Sequence, residues 1–364
     1  MVEHNKPQTI VVRCPNWVGD LIMATPVFEC LRNNFPEACL IALTREYNRR
    51  IIDDLPWLDT VIPCDDKTFS SLWKTAGIVR DLHPDLAILL PNSFRSWLIA
   101  RLAGIREIYG YRRGERKFLL KGPEPKRNEN GYIPRPMIDY YLEICRWMGL
   151  TVSHNPKPSL NISLQLQDEG EALLQQYGVK DDDIVIGLNP GAKFGSSKCW
   201  PPEYFAILAD KLKDNFACKI LLLVGPGEDE IADKIVSQSN ASIINTGENK
   251  IDLGLLKPLI HRCHLLITND TGPRHYATAM DIPVVVIMGP TDPRYTRSNL
   301  EKTIVLRQHL DCSPCHKKIC PTDHQCMKDI KPEDVLQAAK KLLQEKSHDH
   351  SIFSKKMERN STGT

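Results

Sequence analysis

Short apolar runs, each closed by a polar turn and followed by a helical stretch, recur along this chain in two blocks. In the first block, residues 9–13, 40–44, 61–63 and 86–90 read as strands. Helices are predicted over 20–33 and from the end of the fourth strand to residue 102. After a stretch over 154–176 that starts polar and becomes helical, the rhythm restarts. Strands are predicted at 184–188, 219–224, 242–245, 265–268 and 284–288, with helices over 202–215, 228–237 and 276–280. Continuous apolar strands alternating with helices mean parallel sheets covered on both faces. The fold class is therefore α/β, with two similar units and a cleft between them, and ligands expected at the C-terminal ends of the strands.

A chain of 364 residues exceeds one ordinary core, which agrees with two domains. The expected division is 1–178, 179–330, an amphipathic C-terminal helix over 331–346 opened by Pro332, and a polar disordered tail over 347–364. No apolar run approaches the ~20 residues that span a bilayer. Residues 1–9 are polar and lead straight into a strand, so no signal peptide is expected.

Charge is informative only locally. Residues 95–135 hold eleven basic and four acidic side chains, an excess of seven that points to an anionic partner or to a solvated surface. No nucleic-acid motif accompanies the segment, so nucleic acid is not expected. Twelve cysteines without a secretory signal argue for a reducing compartment. Four of them cluster as Cys312-x2-Cys315-x4-Cys320-x5-Cys326, with His309, His316 and His324 nearby. Thiolates at short spacings hold zinc in many proteins, but this spacing is not a standard finger. A structural zinc, reduced thiols and a disulfide formed on isolation all stay open.

Chemistry resides in the loops after the strands. The stretch Asn269-Asp270-Thr271-Gly272-Pro273-Arg274-His275 follows the apolar run Leu265-Leu266-Ile267 and opens a helix. Free N–H groups and a helix dipole at such a turn attract phosphate. An isolated D-T-G also fits an ordinary cap. A second polar loop, residues 189–201, adds small residues for close backbone approach, and its Lys193 and Lys198 either neutralise a diphosphate or are simply solvated. Glu228 lies at the mouth of a third loop, where it either accepts ribose hydroxyls or is a first-turn helix glutamate. The loop after the first strand, Cys14-Pro15-Asn16-Trp17-Val18-Gly19-Asp20, is not G-x-G-x-x-G, which removes a dinucleotide oxidoreductase from consideration. It places Asp20 at a helix start, as a dipole-stabilised carboxylate or as a base for an attacking hydroxyl. The only D-x-D string, Asp181-Asp182-Asp183, precedes a strand and reads as a solvated turn.

Three segments in order, R-C-P-N-W-V-G-D-L-I-M-A-T-P from Arg13, N-P-G-A-K-F-G-S-S-K-C-W-P from Asn189 and N-D-T-G-P-R-H from Asn269, resemble the lipopolysaccharide heptosyltransferases, glycosyltransferase family 9. The resemblance runs from about residue 9 to about residue 345. It implies a GT-B fold, two Rossmann-like domains facing across a cleft, with the last helix packing back toward the first domain. It also implies an ADP-heptose donor, a lipid-linked Kdo/heptose acceptor and inverting transfer with no required cofactor. The N-P-G-A-x-F-G pattern and the cysteine cluster point, within the family, to members that extend the first inner-core heptose.

By motif position, Asp20 matches the general base and Lys198 the lysine that stabilises the leaving phosphates. Asp270, Thr271, Gly272 and His275 match the donor-binding turn. Glu228 is the candidate ribose acid, with Glu230 a competitor, and Lys193 would assist at the diphosphate. Arg112, Arg113 and Arg116 are chosen from charge alone as acceptor-binding residues. An enzyme working on a lipid-linked acceptor would sit peripherally on the cytoplasmic face of the inner membrane. Other members of the family with a different acceptor, and a non-catalytic nucleotide-binding protein of the same fold, remain as alternatives.

Overall fold

The computed structural model describes residues 7–129 and 131–349. Two compact units result. One runs to Ser163 and takes in Arg294–Ser298; the other comprises Leu164–Pro293 and continues from Asn299.

The first unit follows the order β1 (Thr9–Arg13), α1 (Val18–Met23), α2 (Thr25–Asn34), β2 (Cys39–Thr44), α3 (Arg49–Ile52), β3 (Thr60–Pro63), α4 (Phe69–Arg80), β4 (Leu86–Leu89), α5 (Phe94–Leu102) and β5 (Glu107–Gly110). A two-residue hairpin pair, β6 (Arg127–Asn128) and β7 (Gly131–Tyr132), precedes α6 (Met137–Trp147). Its five strands are parallel in the order β3-β2-β1-β4-β5. Strand order therefore reverses between β1 and β4, and the loops after those two strands border the switch point where ligands bind in such sheets.

The second unit follows α7 (Leu164–Gln176), β8 (Ile184–Asn189), α8 (Pro202–Asn215), β9 (Cys218–Leu222), α9 (Asp229–Gln238), β10 (Ile243–Asn245), α10 (Leu256–His261), β11 (Leu265–Asn269), α11 (Gly272–Ala279), β12 (Val284–Ile287), β13 (Thr303–Leu306), α12 (Gln325–Lys328) and α13 (Pro332–Asp349). Six parallel strands lie in the order β10-β9-β8-β11-β12-β13, with the switch point between β8 and β11. The parallel α/β class expected from the alternation is the class observed. Strands β11 and β12 are buried throughout, as sheets covered on both faces require.

Several local expectations change. The helix expected over 20–33 is two helices that break at Ala24, because Pro26 lacks the N–H that would continue the ladder. The Thr25 hydroxyl takes over the Ile22 carbonyl at 2.9 Å. Strands β5 and β13 were not expected; they are half-buried and carry a weaker apolar signal. The boundary expected at 178 falls instead before α7, which packs on α10 of the second unit, Gly170 lying directly against Pro258. Helix α13 packs on α8 and on β11–β13 of its own unit, with Val335, Ala339 and Leu342 in that core. The helix also runs through residues 347–349, expected to be disordered, and residues 350–364 lie outside the described residues.

Candidate active site

Two asparagines at the ends of neighbouring strands build the centre of the second unit. Thr268 lies opposite Asn189 in the β11–β8 register. The Asn189 amide donates to the Leu223 carbonyl at 3.2 Å, and its Oδ1 accepts from Thr268 at 3.0 Å and Thr271 at 3.4 Å. Asn269 donates to the Pro190 carbonyl at 2.6 Å and accepts the Trp200 backbone N–H at 3.1 Å. Both ends of the 190–201 loop are thereby tied to β11. Each such buried bond contributes only about 1 kcal/mol net, but leaving the group unsatisfied costs about 1–3 kcal/mol. Trp200 fixes the loop exit: it is fully buried and its indole N–H reaches the Ile330 carbonyl at 2.9 Å.

Lys198 closes the arrangement. Its ammonium donates to the Asp270 backbone carbonyl at 2.7 Å and to Asp270 Oδ2 at 3.0 Å. Arg274, one turn into α11, binds the other Asp270 oxygen at 2.6 Å, and the Thr291 hydroxyl donates to Oδ2 at 2.5 Å. Burial by itself would raise the Asp270 carboxyl, but the Arg274 guanidinium and the Lys198 ammonium outweigh it and hold the group well below the usual carboxylate range. Thr271 is the N-terminal flanking residue of α11 and Gly272 its first residue, so the turn presents the helix start as expected. Thr271 makes no side-chain cap; its hydroxyl faces Asn189 instead. His275 is buried, and burial together with Arg274 pushes its imidazole down to about 3. It is therefore neutral at physiological pH.

Glu228 joins the third loop to the second. Its carboxylate accepts the Gly225 N–H at 2.9 Å and packs against Gly191, where no side chain would fit. Burial raises its carboxyl, opposed by the Gly225 N–H and the charge of Lys193. Lys193 itself is exposed, and Glu230 lies on the exposed side of α9. Glu228, not Glu230, is thus the acid that the structure brings to the loops. The Asp181–Asp183 string lies before β8, at the opposite end of the sheet, where the Arg262 guanidinium binds the carbonyls of Lys180, Asp181 and Asp183.

The cysteine-rich segment lies against the same 190–201 loop. Ser197 donates its N–H to the Lys318 carbonyl at 3.1 Å and its hydroxyl to that of Lys317 at 2.5 Å. His324 Nε2 lies 2.7 Å from the Ser197 carbonyl, so that nitrogen carries the proton. Burial, and then the neighbouring Cys320, Cys312 and Cys315, push the Cys326 thiol up to about 11. All four thiols are free. Among the described residues no group of three or more His, Cys, Asp or Glu side chains is placed to hold a metal, so the zinc option for Cys312, Cys315, Cys320 and Cys326 is not met.

In the first unit, Asp20 sits in the first turn of α1 and accepts a hydrogen bond from the Tyr141 hydroxyl at 3.1 Å. Arg13, buried at the end of β1, anchors the loop that leads there. Its guanidinium donates to the Cys14 carbonyl at 2.6 Å and to Asn16 Oδ1 at 2.9 Å, and Asp66 lies 3.6 Å away. The Asn16 carbonyl in turn accepts from Tyr47 at 2.8 Å and Asn48 at 2.9 Å. The three arginines chosen by charge behave differently from one another. Arg113 is exposed and lies 3.9 Å over the Tyr132 ring. Arg112 donates to the Lys117 carbonyl at 2.9 Å and pairs with Glu124 at 3.6 Å. Arg116 is buried, its guanidinium bound to Pro91 O, Asn92 Oδ1 and Tyr111 O, because it braces the segment from within.

Sequence reasoning missed Arg13, Arg274, Thr291 and Tyr141. Arg274 carried a signal, since it stands four residues after Asp270, a separation at which a first-turn helix side chain reaches back to the preceding loop.

The two parallel sheets agree with the comparisons to known proteins. The model of glycosyltransferase family 9 (heptosyltransferase) matches residues 73–325. Lipopolysaccharide heptosyltransferase 2 of Escherichia coli (strain K12) is 28% identical over 347 residues, covering 92% of this chain and 98% of that protein. The solved E. coli ADP-heptose lps heptosyltransferase II has a TM-score of 0.77 at 26% identity, over 93% of this chain and 99% of that one. The family 9 glycosyl transferase of Veillonella parvula DSM 2008 has a TM-score of 0.80 at 26% identity, over 93% and 97%. The fold is of the GT-B class. With a family model spanning well over half its length, the chain belongs to glycosyltransferase family 9, the heptosyltransferases.

Proposed function

We propose that this enzyme transfers L-glycero-D-manno-heptose from ADP-heptose to the first heptose of a lipid-linked lipopolysaccharide inner core, inverting the anomeric carbon. The meeting of two strand-end loops at Lys198 and Asp270, beside the start of α11, carries this proposal. ADP gathers negative charge as the glycosidic bond breaks. Lys198 offers its remaining N–H to that charge, and the α11 start at Thr271 and Gly272 adds backbone donors and the helix dipole. Because Asp270 holds Lys198 in place beforehand, no reorganisation is needed as the charge develops. Lys193 screens the outer phosphate. Neutral His275 serves as a hydrogen-bonding wall of the turn, not as a charge. Glu228 receives the ribose hydroxyls.

On the acceptor side, Asp20 takes the proton of the attacking hydroxyl. A carboxylate in the first turn of a helix is a weak base, which suits a proton lost late, when the reacting carbon already carries positive charge. Arg113 and Arg112 meet the anionic sugars, and Arg116 fixes the backbone that presents them. Among the described residues no helix is long and apolar enough to cross a membrane. The enzyme works peripherally on the cytoplasmic face of the inner membrane.

The test is ADP release from the purified protein given ADP-heptose, with Kdo-lipid A and heptosyl-Kdo-lipid A offered separately, alongside Asp20→Asn. Turnover confined to the heptosylated acceptor and lost in Asp20→Asn is the expected result. Turnover on the unheptosylated acceptor moves the protein to a different acceptor step. Donor binding without turnover on either makes it a non-catalytic nucleotide-binding protein.

A further inference from the structure

Among the described residues, every strongly exposed aromatic side chain belongs to the first unit. Three of them lie in the opening turns of α4 and α5. Phe69 is 70% exposed, Trp73 51% and Phe94 44%. Phe69 and Trp73 are one helical turn apart with ring centroids at 6.2 Å. The two helix starts are joined by Arg95, whose guanidinium donates to the carbonyls of Asp66 at 2.8 Å and Lys67 at 3.1 Å. Behind this surface the helices share one core through Leu72, Ala76, Ile99 and Ala100. The exposed rings are therefore not unfinished packing: the apolar faces that the core needs are already buried.

Within the two segments that carry the rings the charge has one sign. No acidic residue occurs over 67–80 or 92–106, while Lys67 and Lys74 are exposed on α4 and its approach. The preceding acids, Asp65 and Asp66, are both taken up by Arg45. Exposed aromatic rings beside exposed lysines are the composition of a surface that enters the headgroup layer of an anionic bilayer. Position supports the same occupant. All five strands are parallel, so the loops after β1, β3 and β4 lie on one rim of the sheet. That rim carries both the aromatic group and the loop to Asp20.

We propose that the rim formed by the starts of α4 and α5 is the membrane-docking face, with Phe69, Trp73 and Phe94 in the headgroup region and Lys67 and Lys74 on anionic lipids. This rests on the acceptor being lipid-linked, as proposed above: docking here holds the Asp20 loop at the surface from which the acceptor sugars project.

The experiment uses the full chain, vesicles of phosphatidylethanolamine with phosphatidylglycerol, and vesicles of phosphatidylcholine alone. Phe69→Ser/Trp73→Ser/Phe94→Ser and Lys67→Gln/Lys74→Gln are compared with wild type by co-sedimentation and by ADP release. The acceptor is supplied either in vesicles or as the same sugars freed from lipid. Wild type is expected to prefer anionic vesicles, and the aromatic variant to lose at least about tenfold in vesicle partitioning. The aromatic variant's apparent KM for the vesicle-borne acceptor should rise correspondingly, with unchanged turnover of the freed sugars. The lysine variant should lose the preference for anionic vesicles.

Unchanged vesicle partitioning in the aromatic variant overturns the proposal. So does an equal loss on the freed sugars, which would make the rings part of the acceptor site. Conversion of a wild-type dimer to monomer without loss of vesicle binding would make the face a contact between copies and also overturn it. If wild type turns over neither acceptor, the functional proposal fails, and the partitioning measurements still decide the docking face.

Discussion

The hydroxyl of Tyr141 donates a 3.1 Å hydrogen bond to Asp20 Oδ1, linking the buried face of α6 to the first turn of α1. Burial, and next the Asp20 charge, push the Tyr141 phenol far above its ordinary range, so it keeps the proton that it donates to Asp20. Its neighbour Tyr140 stacks on Tyr111 at 3.8 Å and receives the Asn92 amide at 2.7 Å, and Asn92 in turn accepts from Arg116. Asp20 is thus held by a chain of aromatic and amide contacts that ends in the basic segment.

Replacing Tyr141 by Phe keeps the ring and removes only the donor. A hydrogen bond to the charged form of a carboxylate favours that form, so its loss should move the acid limb of the kcat/KM profile to higher pH. We expect kcat to fall several-fold with the donor KM unchanged. A pH profile identical to wild type would show that Tyr141 does not act through Asp20.

Lys198→Ala should lower kcat by roughly 100- to 1,000-fold, the usual loss when one donor to a developing anion is removed. Stability should change little, because Asp270 keeps Arg274 at 2.6 Å and Thr291 at 2.5 Å. Asp270→Asn is the contrasting variant. It breaks the buried Arg274–Asp270 ion pair, a change that typically costs about 3–5 kcal/mol, so it should be read as a fold variant. Thermal unfolding run beside ADP-release kinetics separates the two. Wild-type kcat in a folded Lys198→Ala protein would remove the leaving-group role.

Legibility in the sequence followed the range of the interaction. Strands such as β1, β11 and β12 carry continuous apolar runs and need no partner to be recognised. The D-T-G turn and the 190–201 loop were visible because a polar turn between a strand and a helix is a pattern local in sequence. What stayed hidden depends on residues far apart. Arg13 meets Asp66 across 53 positions, and the Tyr141–Asp20 bond spans 121. The basic segment was legible as charge but not as geometry: its excess of cations did not reveal that Arg116 is turned inward while Arg113 is exposed. Nothing in the polar amphipathic stretch of α7 says which core receives it; the structure packs it on α10.

His275 makes the fold sensitive to acid in a defined window. Its imidazole is pushed from about 6.5 in an unfolded chain to about 3 in the fold by burial and by Arg274. Between these values the unfolded state holds a proton that the folded state refuses, so stability rises with pH through the window and is flat above it. Asp270 is also depressed, so its contribution is present above about pH 4 and disappears only below that. Urea unfolding of wild type and His275→Gln from pH 4 to 7.5 should show the wild type losing on the order of a few kcal/mol more than the variant as pH falls. Parallel curves would mean that His275 takes up its proton in the fold as readily as in the unfolded chain.

The cysteine-rich segment should affect donor binding through Ser197 rather than through its thiols. His324 donates to the Ser197 carbonyl at 2.7 Å, and Ser197 donates to the Lys317 and Lys318 carbonyls, one residue before Lys198. Gly195, at φ +152, lies so close to the Lys318 carbonyl that no side chain fits. Loss of one such bond is worth about 1 kcal/mol, or roughly fivefold in an equilibrium. His324→Ala is therefore expected to raise the KM for ADP-heptose about three- to tenfold while the acceptor KM stays constant. Cys320→Ser, at an exposed edge of the segment, should leave both unchanged. Equal increases in donor and acceptor KM for His324→Ala would indicate a general loosening of the enzyme, and Ser197 would then have no specific place in holding Lys198.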